Sequence, residues 1–378
     1  MSYSKTRIAR LCEKLKAENL DGLYVRNLSN LYWLSAFDGV FDGEPAHALL
    51  AAARAQEVFL HTDFRYIHAL EEAALSSDIQ LSAVEKTHAE WLAALLEEGV
   101  LSKAGAGESA VRGMVLGIED ELSLAEYRKL EAVLKGQTIK ETSKFVLELR
   151  AVKDADEVRR LKAAQAITDA AFAHIVSFIK AGMSEREVKI ELEDFMLRQG
   201  AEGLAFSSIV ATGANGASPH AIAGQTKLEA GQALVLDFGA QVSGYCSDMT
   251  RTVFIGEPSA RILDAYVAVR QANEEVEAQL KPGVSGAEMQ KLAEDILAAA
   301  GFEGAMGHSL GHGVGIDVHE EPLLAKKNTV PLEEGNVVTV EPGVYFKDEF
   351  GIRLEDFGII TRDGFEVFTQ SSHDMVII

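Results

Sequence analysis

Two acidic residues end runs of sequence that otherwise have the character of buried strands. Asp237 follows the apolar run 233–236, and Glu341 follows the largely apolar run 337–340. A buried charge is costly unless it is paired with an opposite charge or bound to a metal ion. Each acid therefore predicts a place in the fold where a positive group or a cation neutralises it.

Each of these acids is followed by a returning segment with a second acid. Asp248 comes after Asp237, and Glu355 comes after Glu341, in both cases beyond a predicted turn. We therefore expect two matching hairpins to bring four carboxylates together. Alternation along the returning strands places further polar residues on the same faces as the second acids: Thr250, Thr252 and Arg353.

Histidine residues precede both predicted hairpins. His220 lies before the first, and a glycine-rich segment with His308, His312 and His319 lies before the second. Glycines around His312 allow close approach of the backbone, and imidazole is a common metal ligand and proton carrier. The position of these histidines beside four acids favours a functional role over a structural one.

Four buried carboxylates without a counter-charge would repel one another and take up protons. A pair of divalent cations relieves that repulsion, and a water that bridges two such ions becomes hydroxide near neutral pH. The sequence therefore predicts metal-assisted hydrolysis. Oxygen ligands with one imidazole suit Mn²⁺, Co²⁺ or Zn²⁺ better than a metal that prefers thiolates, and the sequence does not choose between these three ions.

An internal duplication in the second part of the chain accounts for the two hairpins. The capping-box pattern of Ser184 and Glu187 returns at Ser285 and Glu288, and each box predicts the start of a helix. A longer helix with apolar residues at helical spacing is predicted before each box, and an acid-bearing strand after it. Two α/β halves of this kind are expected to pack about a pseudo-two-fold axis.

The length of 378 residues is sufficient for two domains. We place a smaller α/β amino-terminal domain at 1–137 and the catalytic domain at 138–378, with a long helix that begins near Asp154. The prediction of an α/β amino-terminal domain depends on apolar runs that alternate with helical stretches: 22–25, 48–52 and 58–60.

The overall charge excludes several classes of partner. The chain has 36 Lys and Arg against 58 Asp and Glu, a formal net charge of −22. An acidic protein of this kind is unsuited to bind nucleic acid or an anionic membrane. We find no signal-peptide or membrane-spanning pattern, and two cysteines cannot build a disulfide framework or a thiolate zinc site. We therefore expect a cytoplasmic protein.

Taken in order and spacing, these motifs resemble the signature of the pita-bread metallopeptidases. That family includes Xaa-Pro dipeptidases (prolidases), Xaa-Pro aminopeptidases and methionine aminopeptidases. The segments 27–34, 63–66 and 149–153 resemble the amino-terminal domain and junction of its proline-specific branch. The motifs of the second domain that carry the resemblance are Asp237-x10-Asp248, Gly-His312-Gly-x-Gly, Val-Glu341-Pro-Gly and Arg353-x-Glu355-Asp356.

The resemblance implies a pita-bread catalytic domain with a dinuclear metal centre. Asp248 and Glu355 would bridge both ions, Asp237 would bind one of them, and His312 with Glu341 would complete the other. The implied substrate is a small peptide with proline in the second position.

The resemblance also implies roles in catalysis. Glu341 would carry the proton from the attacking water to the leaving imino nitrogen. His220 and His319 would contact the scissile carbonyl and stabilise its oxyanion, and His308 would line the substrate pocket. Arg353 and Thr250 would support the metal ligands without binding the ions, and Arg353 would orient Asp237.

Within the family, the amino-terminal domain disfavours a methionine aminopeptidase. We favour a Xaa-Pro dipeptidase over a Xaa-Pro aminopeptidase, although no single residue decides between them. A creatinase-like hydrolase without metal and a non-catalytic peptide-binding relative are alternatives from other classes, but both lack the full ligand set that is intact here. The family also implies a homodimer, in which the loop 37–43 either reaches the neighbouring active site or is an ordinary surface loop.

Overall fold

The structure is a computed structural model that describes residues 3–37, 43, 46–74, 79–82, 85–101 and 113–378. The chain divides into two units, Met1–Arg150 and Ala151–Ile378. This division lies beyond the boundary predicted near residue 137 because Thr138–Thr142 forms a strand that pairs in parallel with Val115–Glu119 in the sheet of the first unit. In the loop 37–43, Phe37 is buried, and residues 38–42 lie outside the described residues.

The first unit is built on a six-stranded mixed sheet flanked by helices. Its strands are β1 Gly22–Val25, β2 Ala48–Ala52, β3 Glu57–His61, β4 Ile79–Ser82, β5 Val115–Glu119 and β6 Thr138–Thr142. Its helices are α1 Tyr3–Ala17, α2 Leu28–Ser35, α3 Ile67–Ala74, α4 His88–Glu97, α5 Leu124–Val133 and α6 Leu147–Arg150. The strand order is β4-β3-β2-β1-β5-β6. The prediction of an α/β amino-terminal unit is confirmed.

The second unit contains longer helices and several small antiparallel sheets. Its helices are α7 Ala155–Phe178, α8 Glu185–Arg198, α9 Gly213–Gly216, α10 Ala260–Gln279 and α11 Gly286–Ala299. The strands of its first half are β7 Gly203–Leu204, β8 Ile209–Thr212, β9 Gln232–Phe238, β10 Ala240–Val242, β11 Tyr245–Cys246 and β12 Met249–Ile255. Those of its second half are β13 Gly311–Gly313, β14 Glu320–Leu324, β15 Val337–Val340, β16 Gly343–Phe346, β17 Phe350–Arg353, β18 Asp356–Thr361 and β19 Gly364–Val367.

The two halves of this unit repeat one arrangement. In the first half, β9 pairs antiparallel with β12, and the small hairpin β10–β11 lies between them in sequence. In the second half, β15 pairs antiparallel with β18, and the hairpin β16–β17 lies between them. This matching order confirms the predicted duplication.

Local capping interactions begin the helices that precede these strands. Ser184 caps α8, and the Glu187 carboxylate accepts a hydrogen bond from the Ser184 backbone N–H at 2.6 Å. Ser285 and Glu288 form the same box at the start of α11, with the corresponding bond at 2.7 Å. Asp154 caps α7. These boxes satisfy backbone donors that would otherwise lack partners, which explains why the sequence located the helix starts correctly.

Burial of apolar residues packs the helices against the strands in each half. Leu234 and Leu236 of β9 lie in one core with side chains of α7 and α8. Val338 and Val340 of β15 lie in a second core with side chains of α10 and α11. An isolated antiparallel bridge between Thr250 and Glu355 links the strands of the two halves. Helices within the described ranges are too short or too polar to cross a lipid bilayer.

Candidate metal centre

The two strand ladders bring the four predicted acids to one cavity. Asp237 lies near the end of β9 and Asp248 immediately before β12, whereas Glu341 directly follows β15 and Glu355 lies between β17 and β18. All four line a cavity of about 560 Å³, together with His312. The duplicated ladders therefore supply two acids each to a shared site.

Asp237, Asp248 and Glu355 are buried, and Glu341 is half-buried in the same cavity. Burial is the largest cause that raises the pKa of each above its ordinary value. For Asp248 and Glu355, repulsion from the neighbouring carboxylates raises the pKa further. Such a cluster is stable with its charges balanced by cations, which also keep carboxylates deprotonated.

Asp237 has one satisfied oxygen and one without a partner. The Arg353 Nη2 donates a hydrogen bond to Asp237 Oδ2. The other oxygen, Oδ1, is buried and has no hydrogen-bond partner among the described residues. A buried acceptor of this kind needs an explanation, and a cation bound among the four acids provides one.

His312 presents one ring nitrogen to the acids. Its Nδ1–H donates to the Gly313 carbonyl at 3.0 Å, which leaves Nε2 with its lone pair. Nε2 lies 3.3 Å from Glu341 Oε1 and 3.6 Å from Asp248 Oδ2. Burial lowers the pKa of His312, so the ring is held neutral, as a metal ligand must be.

The donor set fits divalent cations. One ligand atom each from Asp248, His312 and Glu355 lies within 4.8 Å of the others. Carboxylate oxygens with a neutral imidazole are ligands that Mn²⁺, Co²⁺ and Zn²⁺ accept.

Polar side chains hold these carboxylates in place. Thr250 Oγ1 donates to Glu355 Oε2 at 2.7 Å, and Arg353 Nε donates to Thr250 Oγ1 at 3.0 Å. Thr339 Oγ1 donates to Glu341 Oε1 at 3.2 Å. The structure thus places Arg353 and Thr250 against the acids, as the sequence predicted, and adds Thr339.

The other predicted histidines line the same cavity. His220, His308 and His319 all form part of its wall. The ring centroid of His319 lies 4.3 Å from that of His312. Burial lowers the pKa values of His308 and His319, which keeps both rings neutral near pH 7. The structure therefore brings every site residue named from the sequence to the cavity or to its acids.

Tyr345 is a site residue that the sequence interpretation missed. Arg353 Nη1 donates to the Tyr345 hydroxyl at 2.8 Å, and that hydroxyl lies 3.0 Å from His308 Nε2. Gly343 stands opposite Arg353 in the β16–β17 ladder, and a Cβ at Gly343 would lie 2.6 Å from the Tyr345 hydroxyl. Gly343 and Tyr345 are two residues apart in the sequence, which places them on one face of a strand. The sequence did not predict that this strand pairs with the one that carries Arg353, so the contact was missed.

A buried ion pair supports the segment that carries His319. Lys153 Nζ lies 3.1 Å from Glu320 Oε2, and the two side chains are 0% and 1% exposed. Glu320 Oε1 also accepts from the Asp317 backbone N–H at 3.1 Å. Lys153 belongs to a motif named from the sequence, but its partner is distant along the chain and could not be read from spacing.

Sequence profiles of two known families match the chain. The profile for Metallopeptidase family M24 matches residues 159–362, and the profile for the Creatinase/Prolidase N-terminal domain matches residues 7–152.

Individual proteins are similar over nearly the whole length. An uncharacterized peptidase of Bacillus subtilis, YqhT, is 35% identical over 362 residues, which cover 95% of this chain and 96% of that protein. The structure of a Xaa-Pro dipeptidase from Bacillus anthracis is 34% identical with a TM-score of 0.89, and covers 99% of this chain and 100% of its own. That of an X-Pro aminopeptidase from Thermotoga maritima is 31% identical with a TM-score of 0.83, and covers 98% and 99%.

Proposed function

The chain belongs to metallopeptidase family M24, and from this premise we propose that it is a metal-dependent Xaa-Pro dipeptidase, or prolidase. The observation that carries the proposal is the cavity in which four acids, three of them buried, meet the neutral ring of His312. Its substrate is a dipeptide with proline in the second position. Similarity to the Bacillus anthracis Xaa-Pro dipeptidase over the full length supports this substrate class.

The acids and the imidazole would hold two divalent ions, for which we propose Mn²⁺ or Co²⁺ first and Zn²⁺ second. The proposed ligands are Asp237, Asp248, His312, Glu341 and Glu355. When bound, the ions supply Lewis acidity at the scissile carbonyl and lower the pKa of a water molecule. Arg353 and Thr250 keep Asp237 and Glu355 in orientation through the hydrogen bonds described above.

The residues of the chain then move protons and position the substrate. Glu341 accepts a proton from the attacking water and delivers it to the leaving nitrogen, which needs it because the amide nitrogen before proline carries no hydrogen. His220 and His319 donate hydrogen bonds to the scissile carbonyl oxygen as negative charge develops there. His308 contacts the substrate and is held by Ser309 O and the Tyr345 hydroxyl.

The test is an assay of the purified protein after chelation and after reconstitution with Mn²⁺ or Co²⁺. We expect hydrolysis of a Xaa-Pro dipeptide that chelation abolishes and either ion restores. An activity indifferent to the chelator would contradict a metallopeptidase and favour a creatinase-like reaction.

A Xaa-Pro aminopeptidase is the second candidate, because the Thermotoga maritima X-Pro aminopeptidase has the same fold at 31% identity. A dipeptidase must accept the free carboxylate of the proline, whereas an aminopeptidase must accept a peptide that continues beyond the proline. A Xaa-Pro-Yaa tripeptide assayed beside the dipeptide separates them. Hydrolysis of the tripeptide alone would replace our proposal with this second one.

We further propose that the protein is a cytoplasmic homodimer. Cys12 and Cys246 are both buried free thiols, which suits a reducing compartment. Cell fractionation tests the location, and light scattering on the purified protein tests the dimer.

A further inference from the structure

The proposed substrate carries a negative charge that the acidic cavity must accommodate. A dipeptide ending in proline has a free carboxylate close to the bond that is cleaved. Like charges that face one another are unfavourable, so this carboxylate needs positive or hydrogen-bond-donating partners. This inference rests on the proposed function, because in the longer peptides that an aminopeptidase cleaves the proline carboxyl group forms the next peptide bond and carries no charge.

Among the described residues that line the cavity, Lys189 is the one that carries a Lys or Arg side chain. It lies in α8, and its side chain is 20% exposed. Its Nζ donates to Ser207 Oγ at 2.7 Å and lies 3.6 Å from Glu193 Oε1. An ammonium group has three donors, and Glu193 is also bound by the Ser208 backbone N–H at 3.1 Å. Lys189 therefore retains donor capacity for a ligand.

Ser208 lines the cavity two residues after Phe206 and is only 2% exposed. Its Oγ is buried and has no hydrogen-bond partner among the described residues. A buried hydroxyl without a partner is unfavourable, and a bound acceptor relieves that cost. The Ser208 backbone N–H and Lys189 Nζ both lie against Glu193 Oε1, which places the two residues beside each other. A hydroxyl and an ammonium group together match a carboxylate, which accepts several hydrogen bonds.

The other basic groups near the cavity are already engaged or have another proposed role. His220 and His319 line the cavity, and the proposed function places them at the scissile carbonyl. The Arg353 guanidinium donates to Asp237, Thr250 and Tyr345. His308 donates to the Ser309 carbonyl, and burial lowers its pKa. Lys189 is thus the cation that the site has to offer a substrate carboxylate.

We propose that Lys189 and Ser208 bind the carboxylate of the proline in a Xaa-Pro dipeptide and so determine the preference for dipeptides. Among the described residues, the hydrogen bonds and ion pair of Lys189 and Ser208 join them to Ser207 and Glu193 rather than to the acids of the metal centre. Their loss therefore affects recognition of the substrate end rather than the chemical step.

The test compares a Xaa-Pro dipeptide with its carboxamide, which has no negative charge, in the metal-reconstituted protein. For Lys189→Met we expect kcat/KM on the dipeptide to fall about 10- to 100-fold, mainly through KM, as for a lost hydrogen bond to a charged group. The carboxamide should be cleaved as by the wild type. Ser208→Ala should give a smaller loss confined to the dipeptide.

Lys291→Met is the matched control, because Lys291 also forms a helical ion pair four residues from its partner, Asp295, and does not line the cavity. Its kinetics should equal those of the wild type. A second measurement uses inhibition by free proline and by prolinamide, and Lys189→Met should weaken only the former.

Equal losses on dipeptide and carboxamide, or no loss on either, would overturn the inference while the wild type still cleaves the dipeptide. If instead the wild type cleaves only a Xaa-Pro-Yaa tripeptide, the dipeptidase function itself fails, and the carboxylate site with it.

Discussion

Thr250 and Glu355 are joined by two hydrogen bonds that link the two halves of the second unit. The Glu355 backbone N–H donates to the Thr250 carbonyl at 3.0 Å, and the Thr250 hydroxyl donates to Glu355 Oε2 at 2.7 Å. A strand of the first half thus holds an acid of the second half at the proposed metal centre. Neither half alone contains a complete site.

Thr250→Val should weaken binding of Mn²⁺ or Co²⁺ about 10- to 100-fold, because it removes the hydroxyl that orients Glu355 and keeps the side-chain shape. Titration against a metal-sensitive fluorescent indicator measures the affinity. Thr142→Val is the control, since Thr142 Oγ1 also donates a buried hydrogen bond, to the Ile118 carbonyl at 2.8 Å, but lies in the sheet of the first unit. Wild-type affinity in Thr250→Val would show that the hydroxyl does not support the centre.

Glu341→Gln should lower kcat about 10²- to 10⁴-fold, the range for loss of a positioned proton carrier. The metal content of the variant has to be measured in parallel, because Glu341 is also a proposed ligand. Glu334→Gln, at an exposed position of the same half, is expected to behave as the wild type. Full activity of a metal-loaded Glu341→Gln would remove Glu341 from the mechanism.

Removal of the metal should destabilise the protein as well as inactivate it. A ligand that binds only the folded state stabilises it by about 2.7 kcal/mol when present at 100 times its dissociation constant. We therefore expect Mn²⁺ to raise the melting temperature of the chelated protein by several degrees, as followed by circular dichroism. Asp248→Asn should abolish this rise, and an equal rise in that variant would argue against binding at the acids.

Lys153→Met should lower the free energy of unfolding by about 3 to 5 kcal/mol, because it removes the cation paired with the buried Glu320 charge. Urea denaturation measures the change. The double variant Lys153→Met/Glu320→Gln should recover much of the loss. Lys162→Met is the control, since its pair with Glu366 is exposed and such pairs contribute about 1 kcal/mol or less. A double variant no more stable than the single one would contradict this account.

Glu277 should make stability fall as pH rises. Burial, followed by repulsion from Asp356, raises the pKa of Glu277 to about 9 from an ordinary 4.5, against an opposing effect of Arg251. Between these two values the folded state holds a proton that the unfolded chain releases, so unfolding becomes easier with increasing pH. Glu277→Gln keeps the neutral form and should be more stable than the wild type near pH 8.

The advantage of Glu277→Gln should shrink as the pH falls to about 4, below both pKa values, where the carboxyl group is mostly protonated in both states. Urea midpoints at the two pH values measure this difference, with Glu275→Gln at an exposed neighbouring position as control. An advantage independent of pH would mean that Glu277 does not titrate in this range.

The sequence by itself determined the features that depend on local spacing. Ser184 and Glu187 lie three residues apart and form their box within one helical turn, so the helix start follows from the sequence. Asp237 and Glu341 each end an apolar run, and the cost of burying them predicts a site where a cation or a positive group meets them. The repetition of both patterns predicted two equivalent halves.

Only the tertiary structure decided which distant residues meet. The partner of Lys153 is 167 residues away in sequence, and the contact of Arg353 with Tyr345 depends on the register of a short hairpin. The strand β6 joins the first sheet through pairing with β5, which moved the division of the chain beyond residue 137. Such contacts follow from strand register and packing, which local spacing does not encode, and they determine how the predicted acids and histidines are held and what else lines their cavity.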